Sequence, residues 1–221
     1  MKRWHNLNNA FQYLLRFIEA KLPADRYNLS EIDLALVSNF KGGNASIVEP
    51  IELLSDKLAI YGRSLDILAR MIGGRALVTF STCDELRAEA GAFLALTLTP
   101  ETAISGFRAS YASALLAAYF PETLPVLDRQ VLRGAGIAHK LNSQGQVIQI
   151  EQHYGKLIER FHSVLKSKPG LSLRELDREW FAVGSKENSA RIAAQGRAKL
   201  KTKSAEGKLR RPFFKGLRED S

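Results

Sequence analysis

A single cysteine, Cys83, serves the whole chain, so no disulfide can form within it and no site built on several thiolates, such as a zinc knuckle or a four-cysteine cluster, is available. With no histidine near it in sequence, Cys83 reads as a helix-start residue rather than a nucleophile. The four histidines, His5, His139, His153 and His162, have no H-E-x-x-H spacing, and no metal is expected. Nowhere do eighteen apolar residues run together, and the opening MKRWHNLNNAFQYLL has no apolar core of secretory length. These absences predict a cytoplasmic chain that makes no use of a membrane. No glycine-rich loop has Walker A spacing, so neither nucleotide hydrolysis nor another cofactor is expected.

Apolar residues make up 45% of the 221, enough for a packed core in one large domain or two small lobes. The formal charge of +9 suits a polyanionic partner. It is unevenly spread: residues 185–221 hold eleven Lys or Arg against four Asp or Glu, leaving a net of only +2 for residues 1–184. We therefore divide the chain into a helical domain over 1–184 and a basic C-terminal tail over 185–221. The tail reads either as an arm that samples phosphate backbone or as a solvated charged terminus.

Helical spacing dominates, and no stretch alternates long enough for a strand, which predicts an all-α fold. The first helix is expected from about Asn8 to Lys21, with Phe11, Leu14, Leu15 and Ile18 on one face. A second starts at Ser30, whose hydroxyl can cap Asp33, and stops at Gly42-Gly43. A third starts at Pro50 and runs towards Met71, with Gly62 as a possible break. Ser81 or Thr82 should cap a helix from Asp84 to about Leu96, and Thr99-Pro100-Glu101 should begin a short one. Arg108 to Phe120, a helix opening at Asp128, a polar loop at Asn142 to Gln146 that could be a hairpin, and helices over Ile150 to Lys166 and Ser172 to Val183 complete the series.

The chemistry concentrates between Ile104 and Arg133. Ile104-Ser105-Gly106-Phe107-Arg108-Ala109-Ser110-Tyr111-Ala112 reads as a short helix, a turn at Gly106 and a second helix. Leu124-Pro125-Val126-Leu127-Asp128 then leads into a third. The turn offers backbone amides for an anion, and Asp128 at a helix N-cap is stabilised as a carboxylate by first-turn amides and the macrodipole. Taken alone, Asp128 reads as a structural cap, as most Asp residues before a helix do.

This segment, 104–133, resembles the helix-hairpin-helix Gly/Pro/Asp superfamily of DNA glycosylases, in which L-P-G-V-G-x-[KS]-T-A is followed by a helix and then V-D-x-x-V or L-D-x-x-V. Gly106 matches the first hairpin glycine, Ser110 the Lys or Ser position, Ala112 the following alanine and Asp128 the catalytic aspartate, eighteen positions after Ser110. Arg108 stands where the family has its second hairpin glycine. The resemblance implies a two-lobed helix-hairpin-helix glycosylase-like fold. It implies a monomer that binds double-stranded DNA and flips a damaged or modified base. Asp128 would assist hydrolysis of its N-glycosidic bond, and Ser110 would at most orient water or a phosphate. Lacking the lyase lysine at Ser110, such an enzyme would be monofunctional and leave an abasic site. It would serve repair or defence against phage DNA with modified bases. Gly106, Phe107, Arg108, Ala109 and Arg129 are the expected DNA contacts, with Lys41 and Asn44 of the glycine-bearing loop as further candidates.

Glu49 is a possible second carboxylate for protonating a departing base, but reads first as a first-turn residue suited to its helix dipole. Phe40, Tyr61, Phe107, Tyr111, Tyr154, Trp180 and Phe181 are the aromatics that could hold an extrahelical base, although most aromatics at helical spacing are core. Arg174 and Arg178, beside Asp177 and Glu179, read as an exposed basic edge with weak surface ion pairs. A non-catalytic DNA-binding module of the same fold and a helical adaptor for an acidic protein are the rival readings.

Overall fold

The computed structural model describes residues 2–43, 47–186 and 189–190; Asn44 and nearly all of the basic tail lie outside them. Met1–Gly184 form one compact unit and Ser185–Ser221 another, of which only residues 185, 186, 189 and 190 are described. The described residues hold eight α-helices and no strand beyond isolated bridges. They are α1 (Lys2–Ala20), α2 (Glu31–Phe40), α3 (Ile51–Ile72), α4 (Asp84–Ala95), α5 (Ala109–Tyr119), α6 (Arg129–Gly134), α7 (Tyr154–Ser167) and α8 (residues 173–186).

At the centre lies α5, whose small side chains let neighbours approach: Ala109 and every residue from Ala112 to Tyr119 are buried. It touches α1 and α2 on one side and α4 on the other, and α4 in turn packs on α3 and α7. A polar knot ties the first group together. Lys21 Nζ lies 2.8 Å from both oxygens of the fully buried Asp33 and 2.9 Å from Tyr119 Oη, which itself donates to Asp33 Oδ1 at 3.1 Å. Burial, then the Asp33 charge, pushes the Tyr119 phenol well up, so it remains a donor at any ordinary pH. Asp33 also accepts from the Ser30 amide at 2.8 Å, completing one half of a capping box that fixes where α2 begins.

Several helix limits differ from the sequence-based expectation. The first helix starts at Lys2 rather than near Asn8, because Trp4 and Leu7 extend the apolar stripe of Phe11, Leu14 and Ile18 by two turns and pack against the core. Gly62 does not break α3; a Cβ there would stand 2.6 Å from the Tyr27 carbonyl oxygen, so the glycine admits the α1–α2 connection. Neither Ser81 nor Thr82 caps α4, whose N-cap is Cys83. Thr99-Pro100-Glu101 forms turns, the Thr99 carbonyl accepting from the Thr102 and Ala103 amides, with no helix before Gly106. Residues 142–145 make a tight turn closed by a single antiparallel bridge between Leu141 and Val147.

The contact between α6 and α8 is made by backbone. A Cβ on Gly134 would fall 2.0 Å from the Trp180 carbonyl oxygen, and one on Gly184 would fall 2.0 Å from that of Gln130. Only glycine permits this approach, and it brings the buried face of α8 alongside the start of α6.

Candidate active site

Asp128 is the N-cap of α6, with extended backbone (φ −137°, ψ 146°), and its Oδ1 accepts from the Gln130 amide at 2.8 Å. The strand-like approach from Leu124 to Leu127 is buried and pinned at several of its polar groups. Ser113 Oγ accepts from the Leu127 amide at 2.9 Å, and the Ser110 hydroxyl donates to the Leu127 carbonyl at 2.8 Å. Tyr154 Oη donates to the Pro125 carbonyl at 3.0 Å. The position expected to orient water or a phosphate, Ser110, thus spends its proton on the backbone that aims Asp128.

The structure adds a partner that sequence placed elsewhere. Lys41, the C-cap of α2, puts Nζ 3.1 Å from Asp128 Oδ2. Burial would raise the Asp128 carboxyl, but the Lys41 charge, the Gln130 amide and the more distant Arg129 charge outweigh it and hold it below the usual carboxylate value. Asp128 is therefore ionised at neutral pH. Arg129 turns away and donates to the Gly145 carbonyl.

Ile104 to Phe107 form a tight turn, with the Phe107 amide donating to the Ile104 carbonyl at 3.0 Å and Gly106 at φ 83°. Arg108 sits at φ −99°, ψ 173°, extended backbone open to any residue, which explains how an arginine stands in place of the second hairpin glycine. Its side chain is exposed beside the first-turn amides of α5. Gly106 is half-buried, and Ala109, in that first turn, is buried, so its side chain is not available to DNA. Phe107 is a correction: its ring is 2% exposed and packs edge-on to Tyr61 with centroids 5.6 Å apart, so its side chain belongs to the core and cannot touch DNA. Glu49 is another. Its carboxylate accepts from the Ser105 amide of the turn at 3.0 Å and pairs with Lys57 at 3.0 Å, which keeps it at the hairpin.

A cavity of about 60 Å³ opens beside Asp128 and Lys41. Its walls include Trp4 from α1, Phe40 from α2, and Arg174, Asp177 and Phe181 from α8. Of the seven aromatics proposed from sequence, only Phe40 and Phe181 line it. Tyr61 and Tyr154 are fully buried core, while Trp180 packs edge-on to Phe161 at 4.4 Å.

The exposed basic edge expected at Arg174 is a further correction. The Arg174 guanidinium lies 4.4 Å from the Trp4 ring centre and 4.5 Å from that of Phe11, and it pairs with Asp177, which is 2% exposed. Arg174 Nε and Nη2 and Asp177 Oδ1 find no partner among the described residues. Burial pushes the Asp177 carboxyl up to about 6; Arg174 and Lys41 pull it back, while the Asp128 charge adds to the rise. Two carboxylates on one cavity are thereby driven in opposite directions.

Sequence reasoning passed over Trp4 and placed Arg174 and Asp177 on an exposed edge rather than at the cavity. A signal was present: Asp177 shares the i, i+4, i+7 stripe of Leu173, Trp180 and Gly184, the face that α8 buries. Among the described residues no three His, Cys, Asp or Glu side chains gather as metal ligands, and no helix is long and apolar enough to cross a membrane. None of the protein-family models, curated proteins or solved structures compared with this chain matches it.

Proposed function

We propose that the chain is a monofunctional DNA glycosylase that flips a damaged or modified base out of the duplex and hydrolyses its N-glycosidic bond. The observation that carries this reading is Asp128: an N-cap carboxylate, kept ionised by Lys41 and the Gln130 amide, at the edge of a cavity walled by Trp4, Phe40 and Phe181. The order of turn, buried helix, pinned approach and capping aspartate supports the resemblance to the helix-hairpin-helix glycosylases. On this reading, the α1–α2 side and the α4–α7 side are the two lobes, with α5 between them.

The steps follow from charge. The target nucleotide leaves the stack, since its glycosidic carbon is unreachable within it. As the base departs, positive charge develops on the sugar, and the Asp128 carboxylate stabilises it from a partly buried position where Coulomb attraction exceeds that in water. Water then adds to the anomeric carbon, giving up a proton with help from the same carboxylate. Ser110 and Ser113 set the position of that carboxylate through Leu127. Arg108 and the first-turn amides of α5 meet a phosphate of the duplex. With a serine at 110, no amine is placed to form a Schiff base, and the product is an abasic site.

A non-catalytic DNA-binding module is favoured by one observation: both Asp128 oxygens already have partners, as in a purely structural cap. Incubation with duplexes carrying different modified bases, including hypermodified phage DNA, followed by alkali to cleave abasic sites, separates the two. Base release by the wild type and its loss in Asp128→Asn, with DNA affinity kept, is the expected result. An equally active Asp128→Asn protein removes the glycosylase mechanism, and inactivity of the wild type on every duplex leaves the binding module.

A further inference from the structure

The cavity holds a second acid that the Asp128 mechanism leaves unused. Asp177 lines it from α8 together with the Lys41–Asp128 pair, and the glycine-mediated contact of α6 with α8 supports that placement. One oxygen, Oδ2, is taken by Arg174; the other, Oδ1, is buried and has no partner among the described residues. A buried carboxyl oxygen without a partner is costly in a folded protein unless a ligand completes it. The alternative acid, Glu49, is held at the hairpin by Lys57 and the Ser105 amide.

We infer that Asp177 is the proton donor of this site, placed to protonate the base in the cavity while Asp128 stabilises the sugar. The inference rests on the glycosylase reading and names a second residue for it. In the step, the C1′–N bond breaks with its electron pair going to the base. The Asp177 carboxyl proton passes to a nitrogen or oxygen of that base, which leaves neutral. Water forms the new C1′–O bond, and the proton it sheds passes to Asp128 and then to solvent, after which Asp177 is reprotonated from solvent.

The surrounding charges are consistent with such a role. Facing Asp177 are Arg174 on its own helix, Asp128 at the start of α6 and Lys41 at the end of α2; α1 contributes Trp4 and Leu7, which do not titrate. With its carboxyl at about 6, roughly one Asp177 in ten carries a proton at pH 7, within the range in which a general acid works. Asp128, held low by Lys41, stays ionised across the same range, so both residues are in their working forms together.

The test is single-turnover base release as a function of pH, on a duplex that the wild type processes, for wild type, Asp177→Asn, Asp177→Glu and Asp128→Asn. Wild-type rates should fall tenfold per pH unit above about 6. Asp177→Asn should lose roughly 100-fold at pH 6 and show no such fall, because amide and carboxyl share a shape but only the carboxyl titrates. Asp177→Glu should retain a fall with pH, and circular dichroism confirms that each variant is folded. An Asp177→Asn profile parallel to that of the wild type overturns the inference while leaving Asp128 chemistry intact. If Asp177→Asn does not fold, a wild-type rate that is flat from pH 5 to pH 8 overturns it equally. Base release that survives Asp128→Asn, or is missing from the wild type on every duplex, removes the glycosylase reading and the proton donor with it.

Discussion

Lys41 and Asp128, 87 positions apart, meet with Nζ 3.1 Å from Oδ2, and this contact joins the end of α2 to the start of α6. The two side chains are 11% and 28% exposed, between the surface pairs that add little and the buried pairs whose rupture is severe. Lys41→Met should therefore cost on the order of 1–3 kcal/mol in urea unfolding at pH 7. The sign of the pH effect follows from a folded-state carboxyl below its unfolded value. Asp128 stabilises the fold above about pH 4, and that contribution is lost as pH falls through the folded value. Lys41→Met should show a shallower loss between pH 4 and pH 2 than the wild type; an unchanged acid limb would mean that Lys41 does not govern Asp128.

Asp177 has the opposite sign. Its carboxyl is raised to about 6, so the stability tied to its protonated form is complete below about pH 4 and lost as pH rises through 6. A difference of that size amounts to roughly 3 kcal/mol. Asp177→Asn should remove the decline between pH 4 and pH 7. Its absolute stability should also drop by a pH-independent amount, since Arg174 is left between Trp4 and Phe11 without its counter-charge. Urea midpoints across that pH interval separate the two effects, because only the slope reports on titration.

Ser110 and Ser113 hold opposite ends of one residue, and their removal should be unequal. Ser113 is fully buried, and Ser113→Ala leaves the Leu127 amide with no acceptor, at a cost of about 1–3 kcal/mol. Ser110 is only half-buried, so in Ser110→Ala a water can enter where the hydroxyl stood and donate to the Leu127 carbonyl, and the cost should be about 1 kcal/mol. Both should slow base release beyond their effect on stability, because Leu127 immediately precedes Asp128. Equal melting temperatures for the two variants would contradict this ranking.

What was legible in the sequence follows from local physics. The all-α class, the stripe of α1, the stop of α2 and the N-cap at Asp128 depend on period, capping and glycine conformation within a few residues. The turn at Gly106 and the helix from Ala109 were readable for the same reason, since they are set by residues close in sequence. The surroundings of Asp128 were not, because Lys41, Arg174 and Asp177 come from α2 and α8, brought in by packing. Lys41 was visible only as a loop cation, and Arg174 as half of a surface pair. Charge pattern alone cannot distinguish an arginine in water from one held between Trp4 and Phe11. Phe107 erred the other way: its place in the turn suggested a DNA contact, whereas Tyr61 draws its ring into the core.

The glycines of α6 and α8 give a test of how the site is held together. Gly134→Ala would drive a methyl to 2.0 Å from the Trp180 carbonyl oxygen, and Gly184→Ala would do the same against Gln130. Backbone cannot yield as a side-chain tip can, so each should cost about 3 kcal/mol or more by forcing the helices apart. Gly91, exposed in the interior of α4 with nothing within 4 Å of where a methyl would stand, is the control. There Ala removes backbone freedom from the unfolded chain without a clash, so Gly91→Ala should gain about 0.5–1 kcal/mol. Separation of α8 from α6 also carries Asp177 away from Asp128. Accordingly, Gly134→Ala should lower the Asp177 carboxyl towards its ordinary value, readable as a flatter stability profile between pH 4 and pH 7. A Gly134→Ala protein as stable as the wild type would show that the two backbones are not in contact.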